Sequence, residues 1–204
     1  EAEEAAGQGI VFSEPEVDEI LRYGAKPLGV DSDLCERQYI AIDEAAFDTK
    51  RIARARDKAQ PQLGSVGGGN HFVEMQVDRD DGSVWVMIHC GSRGYGWQTA
   101  NHYFFAGAEL RGLPKNRREE SWLRADEPLG REYWAHHNSA ANYAVANRHV
   151  IVRGVQQALE DEPILFLILD DQDAPFGLAG LNGDHLLEAA GGRSDSPARI
   201  CSKS

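Results

Sequence analysis

Cysteine is scarce in this chain. Cys35, Cys90 and Cys201 are too few and too scattered for a disulfide framework or a zinc ribbon. Long apolar runs are missing as well, and nothing approaches the roughly 20 residues that a membrane span needs. The opening EAEEAAGQG has no signal-peptide character. A cytoplasmic protein with no membrane partner is the expectation. No segment repeats. Positive charge is also short, since 21 Lys and Arg against 33 Asp and Glu give a net charge of −12. That speaks against nucleic acid until the charge is followed along the chain. Residues 1–50 carry −9 and residues 151–204 carry −5, while residues 51–150 carry +2. A phosphate-bearing partner is therefore allowed in the middle of the chain. Otherwise the composition is that of a globular protein, and 204 residues suffice for a real core in one large domain or two small ones.

Ser13-Glu14-Pro15-Glu16 sets a serine N-cap three residues before a glutamate, and Gly24 offers a stop, so a short helix is predicted between them. DEAAFDTKRIARARDKAQ (Asp43 to Gln60) has helical composition, with Arg51, Arg54 and Lys58 spaced to share one face. A solvated helix face accounts for that strip, and a basic strip beside a phosphate site is the sharper reading. FVEMQV and VWVMIHC read as strands joined by a hairpin loop with Asp81-Gly82 at its turn. A helix from Tyr95 to Leu110 follows, then a charged loop around Pro114, then a long helix from about Glu132 to Glu160. ILFLIL (Ile164 to Leu169) is predicted to be a short buried strand. From Asp170 onward the pattern predicts loop, one short helix near His185 and a polar tail. The class is α+β, with an acidic helical part over 1–60, a motif-bearing core over 61–169 and an irregular tail over 170–204.

Two segments concentrate the chemistry: QLGSVGGGNHFVEMQ (Gln62 to Gln76) and VWVMIHCGSRGYG (Val84 to Gly96), each with a histidine beside a glycine-rich turn. A turn centred near residue 80 places His71 opposite His89, with Cβ atoms roughly 4.5–5.5 Å apart on one face. Two imidazoles so placed can share one metal, provided that the register holds. Gly67-Gly68-Gly69 lets backbone amides approach an anion. A tight strand entry would explain the run equally well, but Asn70 and His71 directly after it favour a phosphate or metal site. Ser92 and Arg93, bracketed by glycines, form a candidate phosphate grip. Cys90 alternates away from His89 and is expected to pack as a small residue, and Cys35 is expected to be structural. His102 and His149 have no motif around them. His136 and His137, adjacent on a helix, are expected to pack or face solvent, and His185 lies in the tail.

QLGSVGGGNHFVEMQ, IHCGSRGYG and YAVANR, in that order, resemble the RtcB family of RNA-splicing ligases over roughly Arg56 to Arg153, about half the chain, with RYGAKPLG near Arg22 as weaker support. The resemblance implies the central portion of a distinctive α+β fold, with a β-hairpin carrying metal-site histidines and a long helix. It implies joining of an RNA 3′-phosphate or 2′,3′-cyclic phosphate to a 5′-hydroxyl with GTP and manganese, in tRNA splicing or RNA repair. By position it assigns manganese to His71 and His89, the guanylate phosphate to Asn70, the guanosine to Phe72 and Glu74, and the phosphate of the RNA end to Arg93 with Ser92. Strand alternation would put Phe72 and Glu74 on the face opposite His71, so the nucleotide would wrap the strand end.

Three departures from the family pattern stand out. Its upstream Asp-x-x-Cys-Gly block has no counterpart, and Asp31 to Cys35 is not that spacing. No His-Asn pair follows Arg153, since His185 is followed by Leu186. The nucleophilic histidine of the family's C-terminal part is absent. The chain therefore reads as one incomplete domain, truncated at both ends relative to the family or frame-shifted after about Leu169, and unable to complete the reaction by itself. The rival readings are a non-catalytic RNA- or metal-binding remnant and a metal-dependent phosphoesterase.

Overall fold

The computed structural model describes residues 11–30, 32–47 and 50–159, together with the strands at 164–169 and 177–179. The chain divides into two units, one of Glu1–Ser65 with Gly91–Val150 and the other of Val66–Cys90 with Ile151–Ser204. Among the described residues no helix is long and apolar enough to cross a membrane.

The first unit is helical. Helix α1 (Glu14–Tyr23) starts where the Ser13 signal predicts, with the Ser13 N–H and hydroxyl both donating to the Glu16 carboxylate at 2.7 and 2.6 Å. Those bonds hold the Glu16 carboxyl below its usual range. Val17, Ile20 and Leu21 are its buried stripe, and Gly24 ends it with φ +63°. A 3-10 turn (Lys26–Leu28) and α2 (Ser32–Gln38) follow. Helix α3 (Ala53–Gln62) starts ten residues later than the composition suggested. The Asp43 side chain accepts the Ala45 N–H at 3.1 Å, and its carbonyl accepts those of Ala46 and Phe47 at 3.0 Å, an isolated turn that competes with helix. Arg56 of α3 then grips Asp18 of α1 with two bonds of 2.6 and 2.7 Å.

Helix α4 (Arg93–Leu110) and a 3-10 segment (Lys115–Glu120) lead to α5 (Pro128–Ala158). Helix α5 begins one turn before the expected Glu132, because the fixed φ of proline suits a first helical position. It is the spine of this unit. Its buried polar side chains bond to the backbone of neighbouring segments: Asn138 donates to the Ala41 carbonyl (2.9 Å), Ser139 to that of Leu21 in α1 (2.7 Å) and Tyr143 to that of Ala59 in α3 (2.7 Å), while Asn142 both donates to and accepts from Ile40 (2.8 and 2.9 Å). The Ile40–Ala41 loop and the C-terminal halves of α1 and α3 thus have peptide groups satisfied by one helix.

The second unit holds a mixed sheet in the order β1 (Phe72–Val77), β2 (Val84–His89), β3 (Ile164–Leu169), β4 (Gly177–Ala179). The β1–β2 and β3–β4 pairs are antiparallel, and β2–β3 is parallel. Helices and a small sheet make the chain α+β. Strand β3 coincides with ILFLIL. Strand β4 corrects the expectation of an irregular tail at that point: three residues are too few to show alternation, and the edge of β3 supplies their partner. The helix expected near His185, and the rest of that tail, lie outside the described residues. Val86 and Ile88 form the buried face of β2 and pack with Cys90, Ile151 and Val152. Every residue of β1 is exposed.

Candidate functional site

In the second unit, β1 and β2 are joined by the loop Asp78–Ser83. The Asp78 N–H donates to the Ser83 carbonyl at 2.8 Å and the Gly82 N–H to the Asp78 carbonyl at 2.9 Å, while Asp78 and Asp81 carboxylates accept the amides two residues on. Closure on the pair Asp78 and Ser83 sets the register one residue away from the expected one. Phe72, not His71, stands opposite His89, and Glu74 stands opposite Met87. Phe72 and Glu74 consequently share a face with His89, which corrects the expectation that the nucleotide-seating pair would lie on the other side from both histidines.

His71 precedes β1 and is not bound by its pleat. Its ring still lies 5.9 Å from that of His89, edge to face, and Phe72 stacks on His89 at 5.5 Å. Gly67 and Gly69 take φ of +88° and +78°, a left-handed backbone that turns the chain into this position. Asn70 is exposed within the same turn. Ring centres of two imidazoles on one ion lie roughly 4.6–5.3 Å apart at octahedral to tetrahedral angles when metal–nitrogen bonds are about 2.1 Å, so a closure of roughly 0.6 Å would let this pair serve as two ligands. Among the described residues no group of three or more His, Cys, Asp or Glu side chains is placed to hold an ion.

In the first unit, Ser92 stands at the N-terminal boundary of α4 without a side-chain capping bond, and Arg93 opens the helix with φ +55°, a left-handed conformation that costs a non-glycine residue about 1 kcal/mol or more. A network holds the strained turn in place. Arg93 Nε donates to Ser65 Oγ at 3.1 Å, and Ser65 Oγ donates to the Gln62 carbonyl at 2.6 Å. Gln62 Oε1 accepts the Gly94 N–H at 2.8 Å. Fully buried Asn147 of α5 accepts the Gly64 N–H at 2.6 Å and donates to the Ser65 and Gly91 carbonyls at 3.1 and 3.4 Å. Asn147, Gln62 and Ser65 carry no assignment from their types. An asparagine inside the apolar YAVANRHVIV run is the signal that could have found the first of them.

Among the described residues, His136, His137, His149, Cys35 and Cys90 are accounted for by packing, while His185 and Cys201 lie outside them. His136 is buried, with Tyr103 Oη 2.5 Å from its Nδ1, and His149 Nε2 lies 3.1 Å from Gln38 Oε1. His137 stacks on Trp134 at 5.3 Å. Cys90 Sγ donates to the Val66 carbonyl and Cys35 Sγ to that of Val30.

The chain is 32% identical over 169 residues to a protein of Archaeoglobus fulgidus named tRNA-splicing ligase RtcB, a match covering 72% of this chain and 35% of that protein. Proteins of the same name from Pyrococcus furiosus (33% over 167 residues, 72% of this chain, 17% of that protein) and Pyrobaculum aerophilum (36% over 135 residues, 58% of this chain, 27% of that protein) are also similar. The chain spans about a third or less of the length of these relatives. Residues 4–164 match the family described as tRNA-splicing ligase RtcB, well beyond the Arg56–Arg153 stretch that its motifs mark. With most of its length matched, this chain belongs to the RtcB family.

Proposed function

We propose that this chain is part of an RNA ligase that joins 3′-phosphate or 2′,3′-cyclic phosphate ends to 5′-hydroxyl ends, with GTP and Mn2+ as cofactors and tRNA halves or broken RNA ends as substrates. The observation that carries the reading is the His71–His89 pair, 5.9 Å apart and preceded by the Gly67–Gly69 turn, inside the family-matched segment. His71 and His89 would hold manganese through neutral imidazole nitrogens. Manganese, when bound, supplies Lewis-acid polarisation of phosphate oxygens. Phe72 offers guanosine a half-exposed ring, Glu74 an acceptor two residues further along the same face, and Asn70 an amide for the guanylate phosphate. Arg93, aimed through its Nε bond to Ser65, would bind the phosphate of the RNA end together with Ser92.

Without the family's nucleophilic histidine, and with two imidazoles that would hold an ion weakly, the chain by itself is expected to form no covalent guanylate. Incubation with labelled GTP and Mn2+ should leave the protein unlabelled, and a stable protein–guanylate adduct would overturn that expectation. The metal role is read by electron paramagnetic resonance of added Mn2+. His71→Ala and His89→Ala should each abolish the bound signal, and unchanged binding in both would remove the role. A second reading, in which the chain binds RNA and metal without catalysis, is supported by the His71–His89 pair having no third candidate ligand grouped with it among the described residues. RNA binding that weakens in Arg93→Ala, with no adduct, would support it. Hydrolysis of a cyclic phosphate without GTP would point instead to a phosphoesterase.

A further inference from the structure

In the first unit, the start of α3 and the face of α4 border a cleft of about 510 Å3, within the roughly 300–1,000 Å3 typical of small-ligand sites. Lys50, Arg51 and Arg54 line one side, and Asn101, His102 and Phe105 of α4 line the other, with Glu109 as the one carboxylate in the lining. The cations do not all serve the fold. Arg51 pairs with Glu132 at 2.9 Å, but Arg54 is exposed and has no acidic partner among the described residues. Lys58, which the sequence grouped with these arginines, does not line the cleft. Helix α3 begins only at Ala53, so Arg51 lies outside the helix that would have given all three one face.

The opposite wall is suited to something flatter and more apolar than a bare anion. The Phe105 ring is 47% exposed, and the Arg118 guanidinium lies 4.6 Å from its centre. His102 Nε2 is buried and meets no hydrogen-bond partner among the described residues. Burial and, after it, the Arg51 charge hold the His102 imidazole below its usual range, so it is a neutral hydrogen-bonding group at pH 7. Cations on one wall, with an aromatic ring, neutral polar groups and the single carboxylate of Glu109 on the other, match how single-stranded nucleic acids are held, phosphates on the charges and a base on the ring.

We propose that the α3–α4 cleft is a second RNA-binding site, which holds a short single-stranded stretch with its phosphates at Arg51 and Arg54 and a base against Phe105. It rests on the reading that the chain handles RNA, but uses none of the residues assigned there. It also gives a use to the basic middle of an otherwise acidic chain.

The experiment is fluorescence anisotropy of the full chain with a labelled single-stranded RNA decamer, alongside NMR of the His102 imidazole. Arg54→Glu is expected to weaken binding about tenfold and to lower the salt slope of log K by about 0.7 for each phosphate that is no longer neutralised. Phe105→Ala, which changes no charge, is expected to weaken it about tenfold by removing the stacking ring. Both positions are exposed, and unchanged circular dichroism checks that each variant folds. His102 resonances should move on adding RNA. If Phe105→Ala binds like the unaltered chain, the Arg54 effect is one of net charge and the site falls. Inorganic phosphate that moves the same resonances as far as RNA does would leave only a free-anion pocket. Binding that drops in Arg93→Ala but not in these two variants would sink the cleft and leave the proposed function standing. No RNA binding by the unaltered chain would sink the proposed function itself.

Discussion

A methyl group placed on Gly68 or Gly69 would meet no atom within 4 Å, whereas one on Gly96 would overlap Ser92 Oγ and one on Gly94 would stand 2.6 Å from Gln62 Oε1. The two glycine-rich turns look alike in sequence, yet only the first leaves its backbone open to a ligand. In the second, the side chains of Gln62 and Ser92 already stand where a Cβ would go and would have to move for any larger residue. That turn is built into the first unit by Asn147, Gln62 and Ser65, and its strain at Arg93 is held by those bonds. Glycine content by itself thus says nothing about phosphate. What separates the two cases is whether the vacated Cβ position faces solvent or a neighbour.

The contrast can be broken most severely at Asn147. Asn147→Ala would leave the Gly64 N–H and the Ser65 and Gly91 carbonyls without their shared partner, at an expected loss of about 2–4 kcal/mol in urea unfolding. A loss under about 1 kcal/mol would show that this network does not anchor the second turn. Gly96→Ala forces Ser92 aside and should cost about 1–3 kcal/mol. Gly68→Ala should change stability by less than about 0.5 kcal/mol. If it nevertheless reduces retention of GTP, the open turn acts through close backbone approach, and unchanged retention would remove that role. The smallest effect is a pH dependence in the first unit. Because the His102 pKa is depressed in the folded state, the unfolded chain binds the proton first as pH falls below about 6.5. Stability from neutral His102 is therefore complete above that pH and is lost as pH falls towards the depressed value. His102→Asn should flatten the slope of urea midpoint against pH between 7.5 and 5, and an unchanged slope would remove His102 as its source.

Local signals were legible wherever the chemistry was local. Ser13 and Glu16 are three residues apart and cap α1 by contacts between themselves, so their pattern suffices. ILFLIL has the length and composition of a strand and forms one. The start of α3 was not legible, because Asp43 spends its side chain on a turn that composition does not reveal. The hairpin register was not legible either. Whether the loop closes at Asp78 and Ser83 or one residue away depends on a handful of hydrogen bonds of similar strength, and that choice decides which residue faces His89. The two histidines still approach each other because His71 lies in the glycine turn ahead of the strand, where the pleat does not dictate direction.

By itself, the sequence determined the family, the α+β class and the residue types able to meet a metal or a phosphate, because these depend on composition and order along short stretches. Only the tertiary structure decided that Phe72 shares the His89 face, that Asn147 ties down the turn ahead of Arg93, and that Arg51 and Arg54 look across a cleft at Phe105. Each of those joins residues through pairing, burial or helix packing. The free energy of such arrangements depends on what fills the space between the groups, and no local pattern encodes it. The open glycine turn and the packed one differ for the same reason.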